Sequence, residues 1–489
     1  MILVVLLLAP VLAALATFRA QRQYVKPVAV AGTAVSLALS IVAVVSAMSG
    51  TPLHASAPWA PAAGLTFRLG ADGVSSVLLL LNASIALLAL LATRTERLRR
   101  PHLFVAMLLL AQVGAAGVLL AQDLVLFFLF WETVLVPFMV LISVFGEGQR
   151  ERAALKLLIY TAVGSLPMLV SIASLFALSG AHSFLINDLA SAGGGATVMF
   201  GFSAAQLAFL GFTLAFAIKA PLFPFHGWMS DAYMACPTPA LMMLAGVVSK
   251  LGPYGFYRVA IRLLPGPARQ FSGLLMVLAA IGIVYGALLA VRQTDVKRTV
   301  VYLSLSHMSF ITLGIVSLTT IGLAGASLQM LNHGILIAAM FYISGHLEGR
   351  LGTRDRGRIA GLASRAPLFG AVFMVISLAI LGLPGLNGFV GEYLIMAGTY
   401  ARSAWVLLPA ATGVVLAAWY TLRLYQGVMN GSDDRAPEAG SVELGNRELG
   451  VLLPLVVAAV AIGVYPGPWV AAVGHGVDHL SRIIAGAGG

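Results

Sequence analysis

Apolar residues run along this chain in blocks of roughly 20, separated by short polar stretches, from one end to the other. A block of that length crosses a hydrocarbon core of about 30 Å as a helix, and it is too long and continuous for a barrel strand. The pattern predicts about 14 spans, near residues 2–17, 27–48, 73–93, 101–121, 123–145, 154–180, 204–225, 238–262, 271–292, 297–318, 321–348, 366–396, 403–427 and 449–471. The expected fold is an all-α polytopic membrane protein, a single transmembrane domain over 1–489. The stretch 1–17 has no basic region ahead of its apolar run, so it reads as a first membrane helix rather than a signal peptide. Residues 181–195 read as an exposed connection, and 430–448 as a surface loop.

Two spans carry helix breakers at mid-length. The seventh contains Pro221 and Pro224 directly after Lys219; the twelfth contains Pro384, Gly385, Gly388 and Gly391 just before Glu392. Proline removes a backbone donor and glycine loosens the helix, so such breaks persist at membrane depth only where protein or internal water satisfies the freed groups. The breaks lie five spans apart. Spans 4–8 (101–262) and 9–13 (271–427) are therefore expected to be two five-helix repeats, flanked by helices in 1–100 and 449–489. An odd number of helices per repeat inverts the second relative to the first, the plan of many secondary transporters.

Composition agrees with a membrane protein: 60% hydrophobic and 10% charged residues, with mean hydropathy +0.96. The net charge of +11 invites a nucleic-acid reading, but its distribution argues against one. Of 29 Lys and Arg, 21 fall in alternate loops, which under the positive-inside rule puts those loops in the cytoplasm and both termini outside. The loop after the eighth span, with Arg258, Arg262 and Arg269, is the exception. The arginine cluster 350–358 reads as a topology signal ahead of a lipid or partner contact. One cysteine, Cys236, excludes a disulfide framework and a Cys-ligated cluster, and neither a P-loop nor a dinucleotide loop is present.

Against this apolar background, Glu132, Lys219, Lys250 and Glu392 stand out, each deep inside a span. A charge at the bilayer centre costs about 2.5–3.5 kcal/mol on insertion scales, so such residues mark ion or proton paths. For Glu132 the functional reading is a carboxylate that tunes a lysine, against a structural ion pair. For Lys219 it is a titrating base, against a snorkelling side chain; for Lys250, a relay, against a packing contact to a backbone carbonyl. For Glu392 it is a terminal acceptor, against a cap on the second half-helix. His333 shares a helical face with Gln329 and Asn332 and is a candidate relay; His307 is a weaker candidate. His226 and His346 lie nearer span ends and read as interfacial. No metal-ligand spacing occurs among the histidines.

These residues fall in an ordered series of motifs. It runs through Phe130-Trp-Glu132, Ala217-Ile-Lys-Ala-Pro-Leu-Phe-Pro-Phe-His226, Trp228-Met-Ser-Asp-Ala-Tyr233 and Leu244-Ala-Gly-Val-Val-Ser-Lys250. It continues through Tyr302-Leu-Ser-Leu-Ser-His-Met308, Asn332-His-Gly334, Thr353-Arg-Asp355 and Pro384-Gly-Leu-Asn-Gly-Phe-Val-Gly-Glu-Tyr393. The series resembles, over nearly the whole chain, the antiporter-like membrane subunits of respiratory complex I, the proton-pumping NADH:quinone oxidoreductase of bacterial inner membranes. Glu392, where the L and N types and the related Mrp antiporter subunits usually carry lysine, favours the M type. Met229-Ser230 and Pro239 depart from the family's usual pattern.

The resemblance implies a proton-translocating role, with Glu132 and Lys219 as the controlling pair, Lys250 as the central relay, His333 between, and Glu392 as the outlet. It implies no redox group in this chain. FMN, iron–sulfur clusters and quinone belong to partner subunits, and L- and N-type subunits and the lipid bilayer are its neighbours. An Mrp-type cation/proton antiporter subunit, a hydrogenase membrane subunit and a structural spacer are the alternatives.

Overall fold

A computed structural model describes residues 1–191, 198, 199, 201–431 and 442–486. Among these, eleven helices are long and apolar enough to cross a membrane. The seventh, eighth and twelfth predicted spans correspond to interrupted segments instead, covering 204–235, 238–263 and 367–402.

The helices differ sharply in how much of their surface is covered. Val296–Val316 and Thr320–Leu351 are 94% buried over their most apolar stretch, whereas Ala404–Met429 is 28% buried and Arg22–Met48 is 33% buried. Composition explains the sorting. The two central helices carry Ser304, Ser306, His307, Ser309, Gln329, Asn332 and His333, all buried, and polar side chains are costly against lipid. The outer helices present Val35, Ile41, Val45, Leu408, Val415 and Trp419 outward instead. Thr320–Leu351 packs on Thr238–Gly246, Val296–Val316 and Asn387–Arg402, so it joins both proposed repeats. Its crossing with Thr238–Gly246 is set by paired glycines: a Cβ on Gly334 would lie 2.7 Å from the Gly246 carbonyl oxygen.

Each interruption satisfies its own freed backbone groups. After Lys219, Trp228 Nε1 donates to the Ile218 carbonyl at 2.9 Å and Leu222 N to Ala217 O at 2.8 Å, before the short helix Met229–Ala235 resumes. That short helix is held at its C-terminal end by Lys297, whose Nζ donates to Met234 O at 2.9 Å and Cys236 O at 3.1 Å. After Ile380 the chain turns through Gly382 and Gly385, both at positive φ, and resumes as Asn387–Arg402.

The eighth-span interruption was not expected. The helix Thr238–Gly246 ends at Val247 (φ −120°), a tight turn carries Val248–Lys250, and a π-helical turn spans Phe256–Ala260. Gly252, Pro253 and Gly255 underlie it: proline supplies no donor, and a Cβ on Gly252 would lie 2.6 Å from Ala220 N.

Two further features depart from the sequence reading. Residues Leu53–Ala60 and Leu65–Ala71 form an antiparallel hairpin at one end of the bundle, so the fold is not purely helical. Beyond the last span, Gly467–Gly486 is an amphipathic helix at that same end, burying Val473, Val477, Leu480 and Ile484.

At the opposite end, 430–448 is not wholly a surface loop: Val442, Leu444 and Glu448 are buried, and a helix begins at Asn446. Glu448 is buried between Arg94 (3.2 Å) and Arg350 (3.4 Å), and the Val442 carbonyl meets His346 Nε2 at 2.7 Å. His346 is therefore covered rather than interfacial. Of the arginine cluster, Arg354 pairs with Asp295 and Glu348 and so closes loops on each other. The remainder of that insertion, 432–441, and residues 192–195 of the connection 181–195 lie outside the described residues.

Candidate functional site

Glu132 sits in the helix Leu124–Thr133, started by Asp123, whose carboxylate accepts from Val125 N at 2.9 Å and Leu126 N at 3.2 Å. The side chain is half-buried. Among the described residues it forms no direct ion pair with Lys219, although the two charges act on each other. Between them in chemistry is Trp131. Lys219, 4% exposed at the last position of its helix, holds its Nζ 5.1 Å from the centre of the Trp131 ring. That is cation–π range, worth about 0.5–2 kcal/mol depending on solvation. Phe216 packs edge-on to the same ring at 5.3 Å and completes a dry aromatic wall. In the sequence Trp131 belongs to the Phe130-Trp-Glu132 motif but carries no role of its own.

Lys250 is 1% exposed. The break at Val247 leaves the Ala245 carbonyl without its helical donor, and both Lys250 Nζ and Ser249 Oγ donate to it; Nζ also lies 3.2 Å from Ser249 Oγ. The packing contact to a carbonyl considered from sequence is thus present, and the broken helix creates it. The close approach of Gly252 to Ala220 brings the Lys250 turn against the residue that follows Lys219.

The second half of the site is a compact polar cluster. His307 Nδ1 lies 3.3 Å from Glu392 Oε1, and the His307 and His333 rings stack with centroids 5.6 Å apart at 15°. His333 in turn faces the charge of Lys250. Gln329 Nε2 donates to Glu392 Oε1 at 3.3 Å, Asn332 Nδ2 to Gln329 Oε1 at 3.3 Å, and Asn332 Nδ2 to the Asn387 carbonyl at 2.6 Å. Glu392 is buried and sits beyond the first turn of its half-helix, which does not suit the capping role. Its second oxygen fits against Gly382, where a Cβ would come within 2.7 Å. His307, the weaker candidate from sequence, is the residue in direct contact with Glu392.

Both ring nitrogens of His333, Nε2 of His307, Oδ1 of Asn332 and the hydroxyls of Ser304 and Ser327 have no hydrogen-bond partner among the described residues. Buried polar atoms are normally paired, and this many in one region points to a wettable interior. His226 stands apart, packed on Tyr285 with ring centroids 5.1 Å apart. No group of three or more His, Cys, Asp or Glu suited to a metal occurs among the described residues.

Chemically, the arrangement offers two clusters of ionisable groups, Glu132 with Lys219, whose ammonium lies over the Trp131 ring, and Lys250–His333–His307–Glu392, with Gly252 packed against Ala220 between them.

Comparisons with known proteins fit this geometry. Residues 121–417 match the family described as NADH:quinone oxidoreductase/Mrp antiporter, transmembrane. The chain is 36% identical over 462 residues to an NADH-quinone oxidoreductase subunit M of Mycobacterium tuberculosis, covering 87% of this chain and 83% of the relative. It superposes on a chain of respiratory complex I from Thermus thermophilus with a TM-score of 0.89 at 32% identity, over 99% of this chain and 100% of that one. A chain of the Mrp complex from Dietzia shares the fold, with a TM-score of 0.85 at 22% identity, over 98% and 97%.

Proposed function

The chain belongs to the NADH:quinone oxidoreductase/Mrp antiporter family of membrane subunits, and from that premise we propose that it is the M-type, proton-translocating subunit of a bacterial NADH:quinone oxidoreductase. It works in the membrane arm beside L- and N-type neighbours. FMN, iron–sulfur clusters and quinone are held by other subunits, and this chain contributes no redox step of its own. The observation that carries the reading is the buried array from Glu132 to Glu392, set on broken or polar helices at the centre of a fold whose periphery is lipid-grade.

The residues divide the work by their surroundings. An ammonium in a dry site is sustained by a nearby carboxylate or ring face. Lys219 has both, Trp131 fixed in contact and Glu132 near but not bonded. A field that moves Glu132 relative to Lys219 therefore changes whether Lys219 holds its proton. Lys250 receives it across the Ala220–Gly252 contact. His333 and His307 carry it to Glu392, rotating or wetting their unpartnered nitrogens as they do so. Quinone reduction elsewhere supplies the field.

Residues 101–262 and 271–427 act as the two inverted repeats, each with a break beside its ionisable groups. By the positive-inside rule the arginine-rich loops face the cytoplasm, and with 14 spans both termini lie outside.

The experiment is purification of the tagged chain in mild detergent from its own membranes, assayed for NADH oxidation and bound flavin. Copurifying activity is the expected result. A complex of membrane subunits without flavin would move the chain to the Mrp antiporters, and a nickel-containing partner to the membrane-bound hydrogenases.

A further inference from the structure

At the end of the bundle opposite the buried Glu448, a cavity of about 480 Å³ opens between the hairpin, the start of the helix Gly73–Ala92 and the amphipathic helix Gly467–Gly486. Arg68, Arg258, Arg262 and Arg482 line it, and among the described residues Asp72 is the only carboxylate on its wall. Four guanidinium groups less one carboxylate (4 − 1) leave a net charge of +3, before counting His54, His475 and His479, which also line it.

That carboxylate is already committed. Asp72 Oδ2 accepts from Arg258 Nη1 at 2.7 Å, and Asp72 Oδ1 caps the helix by accepting from Ser75 N at 2.9 Å. Arg258 is 4% exposed, and its Nε has no hydrogen-bond partner among the described residues. Arg262 is engaged by the Asn187 side chain, and Arg482 only by a long contact to the Asp478 carbonyl; Arg68 pairs with no acid among the described residues. The positive end of the helix Gly73–Ala92 adds to the same field. Such a concentration of unneutralised guanidinium around a half-enclosed space suits an anion with several acceptor oxygens.

The position says what bears that anion. The amphipathic helix buries one apolar face and sits at the boundary of the spans. Ala47, in the last turn of the helix Val25–Met48, and Gly50, just past it, lie on the cavity wall, and Ile41, Val42, Val45 and Met48 of that helix are exposed apolar side chains. An acyl chain lying along those residues brings its headgroup to the cavity mouth. We propose that this basic cavity is a binding site for a phosphate group, presented as the phosphodiester headgroup of an anionic lipid. The proposal does not depend on the proton path.

The test uses the intact membrane complex and a photoactivatable phosphatidylglycerol, with crosslinked peptides mapped by mass spectrometry. Label is expected on peptides carrying residues 53–72 and 467–486, with a phosphatidylcholine analogue giving little. R68Q/R482Q removes two exposed charges without stranding an acid. It should weaken labelling about 25-fold, taking about fivefold per arginine near the surface. R99Q/R100Q, the same charge change at the other end of the bundle, should leave it unchanged. If instead radiolabelled inorganic phosphate binds with the same dependence on Arg68 and Arg482 while the lipid probe does not, the phosphate site stands and its occupant is the free ion. Absence of both, or binding indifferent to R68Q/R482Q, overturns the proposal; that is also the result if an acidic segment of a neighbouring subunit fills the cavity.

Discussion

His307 holds its Nδ1 3.3 Å from Oε1 of Glu392, across the interface between two buried helices and beside the bend at Gly382. This contact ties Glu392 to the histidine pair, so on the proposed path His307 is as necessary as His333. His307→Ala should lower proton transfer at least about tenfold, within the range lost when a positioned proton carrier is removed. Glu392→Gln should do the same and Glu392→Asp less. The check is proton uptake into vesicles with NADH oxidation followed in parallel. A His307→Ala enzyme that pumps normally would remove this residue from the path.

Trp131 lies within cation–π range of Lys219, so on the proposed path its role is to position that cation. Trp131→Phe keeps a weaker ring face, whereas Trp131→Leu removes it. A loss of about 0.5–2 kcal/mol corresponds to about a 2- to 30-fold slower transfer for Trp131→Leu, and less for Trp131→Phe. A packing role alone would give equal effects for the two variants, and would leave the pH profile of pumping unmoved.

Glu448 serves a different purpose. It bridges Arg94 and Arg350 at the end of three helices, with the arginines more than a third exposed. Replacing it with Gln should cost on the order of 1 kcal/mol or less per pair and lower the thermal midpoint of the complex slightly. Protons pumped per NADH should not change. A changed ratio would mean that this bridge belongs to the transfer path.

The Asp72–Arg258 tie carries a pH signature. Burial raises the Asp72 carboxyl, but Arg258 and the Ser75 hydrogen bonds outweigh that and hold it below the usual carboxylate range. A depressed folded-state value means the tie contributes fully above the ordinary carboxylate pKa, near 4, and fades only as pH falls through the lower folded value. Heat inactivation of Asp72→Asn relative to the parent should therefore show a constant gap from neutral pH to about 5, closing below about 4. A gap already closing at pH 6 would contradict the assignment.

Much of this was legible in the sequence because a charge in a lipid-grade run has no ordinary reason to be there. Glu132, Lys219, Lys250 and Glu392 were visible for that reason, and His333 through its polar face with Gln329 and Asn332. Trp131 was not, since a tryptophan among phenylalanines looks like any apolar residue until a lysine is found over its ring. The third broken span was missed because glycine and proline at 252, 253 and 255 lie past Lys250 rather than before it. Arg258 seemed to spoil the charge bias of the loops, yet it belongs to a buried pair with Asp72 and was never a loop charge. The hairpin was invisible because His54, Pro58 and the alanines of Leu53–Ala60 have little strand preference. Glu448 looked solvated because the arginines that bury it come from distant helices.

The most direct measurement is the number of protons moved per NADH oxidised in proteoliposomes containing the complex with Lys219→Ala, beside Glu132→Gln and Glu132→Asp. The account predicts an assembled complex in which Lys219→Ala and Glu132→Gln lose most coupled turnover, while Glu132→Asp, which keeps the charge, retains more. An assembled Lys219→Ala complex with normal turnover and an unchanged proton yield would contradict it.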